Sequence, residues 1–165
     1  MARRVFYSFH YKPDNWRAAQ VRNIGTVEGN RPATDNEWET VKRGGDAAIR
    51  RWIDGQLSGK SCALVLIGED TAGRKWIDYE IETAWNSKKG VVGVHIHNLK
   101  NILGNKAKKG RNPFETFTLG TSRTRLSTVV KAYDPPFSAS KDVYDYIARN
   151  LVKWVEEAVA IRNRY

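Results

Sequence analysis

The chain has 165 residues, 41% of them hydrophobic and 11% aromatic, with six tryptophans and a formal net charge of +10. A chain of this size buries a proper core, which excludes a disordered class, and its single cysteine, Cys62, has no partner for an internal disulfide. No apolar run approaches the roughly 18 residues needed to span a bilayer, and the first residues lead into a strand rather than a signal peptide, so a cytoplasmic protein with no membrane partner is expected.

In chain order, residues 3–10 read as an aromatic-rich first strand. Pro13 and Asp14 then open a helix to about Asn23, with Trp16, Ala19 and Val21 facing inward. The segment from Gly25 to Gly45 is weakly periodic and rich in turn formers, with a short helix possible at residues 37–42. Asp46 reads as the cap of a helix from Ala47 to about Leu57, whose stripe is Ile49, Trp52, Ile53 and Leu57. A strand at residues 62–67, a helix from Trp76 to Ser87 and a strand at residues 91–96 make a βαβ unit. Both strands are near-continuous apolar runs, as expected where helices cover both faces of a parallel sheet. A further strand is predicted at residues 114–119. Ser140 then reads as the cap of a last helix, about residues 140–162, with Val143, Tyr144, Ile147, Leu151, Trp154, Val155 and Val159 along one side. The layout predicts a single three-layer α/β domain over residues 1–165, with Cys62 as a buried hydrophobe.

The chemistry gathers where the 62–67 strand meets the following helix, because ligands of open α/β sheets bind at the carboxyl ends of the strands. Glu80 lies one helical turn after Trp76 and shares its face, while Ile77, Ile81 and Ala84 form the buried stripe. Asp78 and Glu82 fall on other faces and read as solvated. A carboxylate beside an aromatic suits a ligand with a flat ring and sugar hydroxyls, for which Trp76 or Phe9 offers a stacking face. Backbone amides near Gly68 and the start of the next helix suit a pyrophosphate.

Residues 98–131 hold eight of the basic side chains against a single acid, Glu115. Such a basic insert keeps a protein soluble, steers a phosphate-bearing ligand or binds nucleic acid. The run Lys106–Arg111 has no interleaved aromatics, which weakens the case for a single-strand stacking platform. His95 and His97 share a strand face, yet no third ligand stands at matching spacing, so no metal site is expected.

Three stretches resemble the TIR-like family of bacterial anti-phage Thoeris systems: residues 5–17, the helix-to-strand passage of residues 47–68, and Lys75-Trp76-Ile77-Asp78-Tyr79-Glu80-Ile81-Glu82-Thr83-Ala84-Trp85, which is similar to a W-x-x-x-E-I pattern. The likeness covers roughly residues 3–97. It implies a flavodoxin-like fold with a parallel sheet in the order 2-1-3-4-5. It also implies an enzyme that breaks the nicotinamide–ribose bond of NAD, with Glu80 as the catalytic carboxylate and Ser8, Phe9 and His10 at the substrate site. In that family the product is a cyclic ADP-ribose isomer that activates an effector protein, and subunits assemble, so a homo-oligomer is an option. NAD is then a substrate, and no cofactor is expected. The segment 25–45 departs from the family pattern, which has a second strand near there. Two alternatives stay open: a non-catalytic TIR-like signalling or assembly module, and a basic nucleic-acid-binding domain.

Overall fold

The computed structural model describes residues 2–30 and 35–165, with the backbone alone at Asp35 and Asn36. Of the weakly periodic segment, residues 31–34 therefore lie outside the described residues. The elements run β1 (Arg4–Ser8), α1 (Tyr11–Arg22), β2 (Glu28–Gly29), α2 (Asp35–Arg43), α3 (Gly45–Leu57), β3 (Cys62–Ile67), α4 (Lys75–Asn86), β4 (Gly90–His95), a 3-10 turn (Leu126–Thr128), β5 (Ala132–Tyr133) and α5 (Ser140–Asn163). The five strands form one parallel sheet in the order β2-β1-β3-β4-β5, the flavodoxin-like arrangement.

The sheet is covered on both faces because its central strands are apolar at every position. Along β3, Cys62, Leu64 and Leu66 enter one core with Ala18 and Val21 of α1 and Val143, Ile147, Leu151 and Val155 of α5. Ala63, Val65 and Ile67 enter the other, with Ile49, Ile53 and Leu57 of α3 and Ile77, Ile81 and Ala84 of α4. Alternation along a strand sorts these residues, and each fully buried Leu, Ile or Val stabilises the fold by about 1.5–3 kcal/mol. Cys62 is fully buried, and burial pushes its thiol up to about 12.

Several expectations are corrected. Trp16 is 50% exposed rather than inward; Asp14 and Arg17 are buried on α1 instead, joined by an ion pair of 2.9 Å. Arg17 also donates to the carbonyls of Leu99 (2.7 Å), Asn105 (2.8 Å) and Pro13 (3.2 Å). A polar pair inside an amphipathic helix is invisible to hydrophobic periodicity, because its partners come from residues 99–105. Asp46 and Ser140 do not cap their helices. Asp46 lies within the first turn of α3 and pairs with Lys75, while the Ser140 hydroxyl accepts the N–H of Lys100. Residues 114–119 form no strand; Thr118 makes only an isolated bridge to Arg125. The second strand does exist within residues 25–45, but it is two residues long, too short for a period-2 signal.

The basic insert is fastened to the sheet. Leu99, Phe114, Leu126, Val129 and Val130 are buried, and β5 follows as the edge strand, paired with β4 at Gly93↔Ala132. Gly93 leaves the space that the Phe114 ring fills, since a Cβ there would stand 2.9 Å from it. Gly110 packs so closely on the turn after β3 that a Cβ would lie 2.0 Å from the Gly68 carbonyl oxygen. That neighbour is backbone and cannot rotate away. Gly110→Ala is therefore expected to cost about 1–3 kcal/mol, lowering the melting temperature by roughly 2–4 °C per kcal/mol. Gly55→Ala, inside α3 with nothing within 4 Å of the new methyl, is the control and is expected to stabilise by roughly 0.5–1 kcal/mol. Calorimetric melting of the two variants checks the contrast, and equal melting temperatures would refute it.

Candidate functional site

The strand order reverses direction between β1 and β3, and the carboxyl ends of those strands open into a cleft of about 1190 Å³. Ligand sites of open parallel sheets lie at such switch points. Phe9 and His10 line it from the end of β1, and Trp76 and Glu80 line it from the first turns of α4. α4 points these side chains at the cleft because its apolar stripe, Ile77, Ile81 and Ala84, is taken by the core.

Glu80 is the centre of the arrangement. It is partly buried, and the hydroxyl of Ser8, itself buried at the end of β1, donates a hydrogen bond to its carboxylate. Burial pushes the Glu80 carboxyl up to about 8, and the Ser8 hydrogen bond pulls it partway back. A carboxyl that loses its proton near neutral pH, in a cleft, is the usual mark of a tuned site.

His10 is held neutral near pH 7: burial lowers its pKa first, and the nearby Arg74 adds to this. Its Nδ1 is buried without a hydrogen-bond partner, which leaves it free to accept from or donate to a ligand. The Trp76 ring packs edge-on against Tyr79, with centroids 5.8 Å apart, and carries the Lys75 ammonium 4.9 Å from its centroid. Phe9 packs against Tyr11, with centroids 6.2 Å apart.

The structure thus brings Glu80, Phe9, His10 and Trp76 together at the cleft, while Ser8 is buried outside its lining and joins the site through its hydrogen bond to Glu80. Gly68 stands apart. It is not among the lining residues, its N–H donates to the Thr71 hydroxyl at 2.8 Å, and its Cα is packed against the Asp14 carboxylate. Asp78, expected in solvent, is half-buried, and burial raises its pKa. His95, the last residue of β4, and His97 are buried and not among the cleft's lining residues, ring to ring at 5.8 Å, and burial pushes His95 down to about 4. Among the described residues no group of three or more His, Cys, Asp or Glu side chains gathers in a metal-holding arrangement. No helix among the described residues is long and apolar enough to cross a membrane.

Sequence reading missed several residues that line the cleft. Trp38 of α2 and Trp52 of α3 line it as a tilted pair with centroids 5.7 Å apart. Asn30 lines it beside β1, its side-chain oxygen accepting the Tyr7 N–H at 2.8 Å. Arg74 and Arg111 supply guanidinium groups. Trp38 sits in the short helix suspected at residues 37–42, but only the packing of α2 on α3 turns it toward the cleft. Arg111 was hidden within a run of bases that reads equally well as a solvated loop.

Residues 6–101 match the family model described as "Thoeris protein ThsB, TIR-like domain". The chain is also 38% identical over 120 residues to a Bacillus cereus (strain MSX-D12) protein named "Putative cyclic ADP-D-ribose synthase ThsB1". That alignment takes in 70% of this chain and 62% of the relative, so the chain spans somewhat less than two thirds of the relative's length.

Proposed function

The chain belongs to the TIR-like domain family of the Thoeris protein ThsB, and we propose that it cleaves the nicotinamide–ribose bond of NAD to make a cyclic ADP-ribose-type signal in anti-phage defence. The observation that carries this reading is the Glu80 carboxyl, held by Ser8 in a cleft whose walls are aromatic. The name of the Bacillus cereus relative supports a cyclic product.

The nicotinamide of NAD is a cationic leaving group, so no general acid is required. The electron pair of the breaking carbon–nitrogen bond leaves with the nicotinamide and neutralises it, and the positive charge passes to the ribose carbon. That carbon resembles the oxocarbenium-like transition state of glycoside cleavage. The Glu80 carboxylate stabilises it electrostatically and accepts hydrogen bonds from the ribose hydroxyls, which counts for more in a partly dry cleft than in water. Ser8 holds the carboxylate in place. Phe9, Trp38, Trp52 and Trp76 all line the cleft and offer faces for the two rings of the dinucleotide. Capture of the carbon by a nucleophile of the same molecule, with loss of a proton, closes a ring; capture by water gives the linear product. Folding the adenine half back is a matter of positioning, and a cleft walled by aromatics serves it. NAD is substrate here and no cofactor is invoked. The same reading puts the protein in the cytoplasm, where NAD is supplied, with a diffusible product that activates a separate effector protein, and includes a homo-oligomer as the family's mode of assembly.

Nicotinamide release from NAD, followed by chromatography with mass analysis in the presence and absence of phage-infected lysate, tests the reading directly. Its pH dependence tests the assigned base. The free enzyme loses the Glu80 proton near pH 8, so kcat/KM is expected to rise with pH through an inflection near 8. With the cationic nicotinamide ring bound beside the carboxylate, the charged form is favoured, and kcat is expected to inflect at lower pH. A kcat/KM that stays flat between pH 6 and 9 sinks the assignment of Glu80.

A further inference from the structure

The cations that line the cleft differ in whether anything holds them. Lys42 pairs with Glu39 at 3.0 Å and Lys75 with Asp46 at 2.5 Å, whereas no hydrogen bond or ion pair among the described residues occupies the Arg111 or Arg74 guanidinium. Of the acids on the same wall, Glu69 already accepts the backbone N–H of Lys108 at 2.8 Å. Lys12, Arg74 and Arg111 then line the cleft with Asp70 and Glu80, three cations against two acids.

Arg111 is also placed rather than loose. The chain just before it is pinned where Gly110 meets the Gly68 carbonyl and where Lys108 donates to Glu69. Three residues after it, Phe114 is fully buried, and the Phe114 N–H donates to the Asn112 side chain at 2.9 Å. Between those anchors the backbone has little freedom, and the Arg111 guanidinium reaches the turn before α4, with Nη2 3.5 Å from where a Cβ on Gly73 would stand. Arg74 is the next residue along that turn. Two unpaired forks in a cleft lined by aromatic rings match an anion with several oxygens flanked by ring systems.

Taking the NAD reading of this cleft as its basis, we propose that Arg111, together with Arg74, binds the pyrophosphate of the dinucleotide, and that the basic segment is built onto the sheet in order to deliver Arg111 there. The seven other bases of residues 98–131 then act at longer range by drawing the dianion in, while Arg111 makes the contact.

The test is calorimetric titration of ADP-ribose and of adenosine into the wild type, Arg111→Ala, Arg111→Lys and, as control, Lys108→Ala, whose side chain lies outside the cleft lining. Losing charge-assisted bonds to phosphate is expected to weaken ADP-ribose binding by about 10- to 100-fold in Arg111→Ala. Adenosine, which has no phosphate, is expected to change less than about twofold, and Arg111→Lys to recover part of the loss because an ammonium keeps the charge without the fork. Raising the salt from 50 to 500 mM is expected to weaken ADP-ribose binding more in the wild type than in Arg111→Ala. ADP-ribose binding by Arg111→Ala equal to wild type overturns the proposal and leaves the NAD reading standing. An equal loss for adenosine and ADP-ribose also overturns it, since Arg111 would then be shaping the cleft in general. Failure of the wild type to bind ADP-ribose at all removes the NAD reading and this proposal with it.

Discussion

Glu80→Gln is expected to abolish nicotinamide release from NAD, by at least about a thousandfold, in a protein that folds as the wild type does. The substitution keeps the size of the side chain and an oxygen that accepts the Ser8 hydroxyl, and removes only the negative charge. The missing charge is what stabilises the developing ribosyl cation, so the loss falls on kcat as well as on kcat/KM. Stability gives an independent check. The Glu80 carboxyl has an ordinary value of 4.5 and stands near 8 in the fold. A raised folded value contributes stability that is complete below about pH 4.5 and is lost as pH rises through 8, where the wild type must carry a buried charge. Glu80→Gln has no charge to bury. It is therefore expected to melt at about the wild-type temperature near pH 5 and above it at pH 9. Retained NAD cleavage in the variant would exclude Glu80 as the stabilising carboxylate; a melting difference that does not grow with pH would show that its pKa is not raised.

Arg17→Met is expected to be the most destabilising single change outside the site, at about 3–5 kcal/mol, or a fall of roughly 6–20 °C in melting temperature. The reason is what stays behind. Asp14 is 2% exposed, its second carboxylate oxygen has no hydrogen-bond partner, and burial already raises its pKa against the opposing pull of Arg17. Without Arg17 the carboxylate is buried alone, and the Leu99 and Asn105 carbonyls lose their donor. Pairing Arg17→Met with Asp14→Leu removes the stranded charge and is expected to recover a large part of the loss. Hydrogen exchange should accelerate first at residues 99–105, which Arg17 ties to α1. A fall of less than about 2 °C in the single variant, or no gain in the double, would mean the pair is not what holds this corner.

Arg17 also marks where sequence reading stops. The βαβ unit around Glu80 was legible because its signals are local: apolar runs at residues 62–67 and 91–96, and a 3.6-residue stripe between them. Ser8 and Glu80 were each named, on resemblance and on position, but their hydrogen bond joins residues 72 apart and follows from β1 pairing with β3. Trp16 was placed inside because it is large and apolar, whereas the register of α1 turns Asp14 and Arg17 inward, toward carbonyls supplied by a loop some 80 residues later. β2 and β5, each two residues long, carry no pattern of their own and exist only because β1 and β4 present edges to pair with.

By itself, then, the sequence determined the layered α/β class, the strand order through a family likeness, and the carboxylate at the head of α4, since period-2 and period-3.6 patterns and a short motif are written in neighbouring residues. The tertiary structure alone decided the walls of the cleft. Trp38, Trp52, Asn30, Arg74 and Arg111 come from separate stretches of chain, and they converge through two close contacts that no spacing encodes, the packing of α2 on α3 and the approach of Gly110 to Gly68.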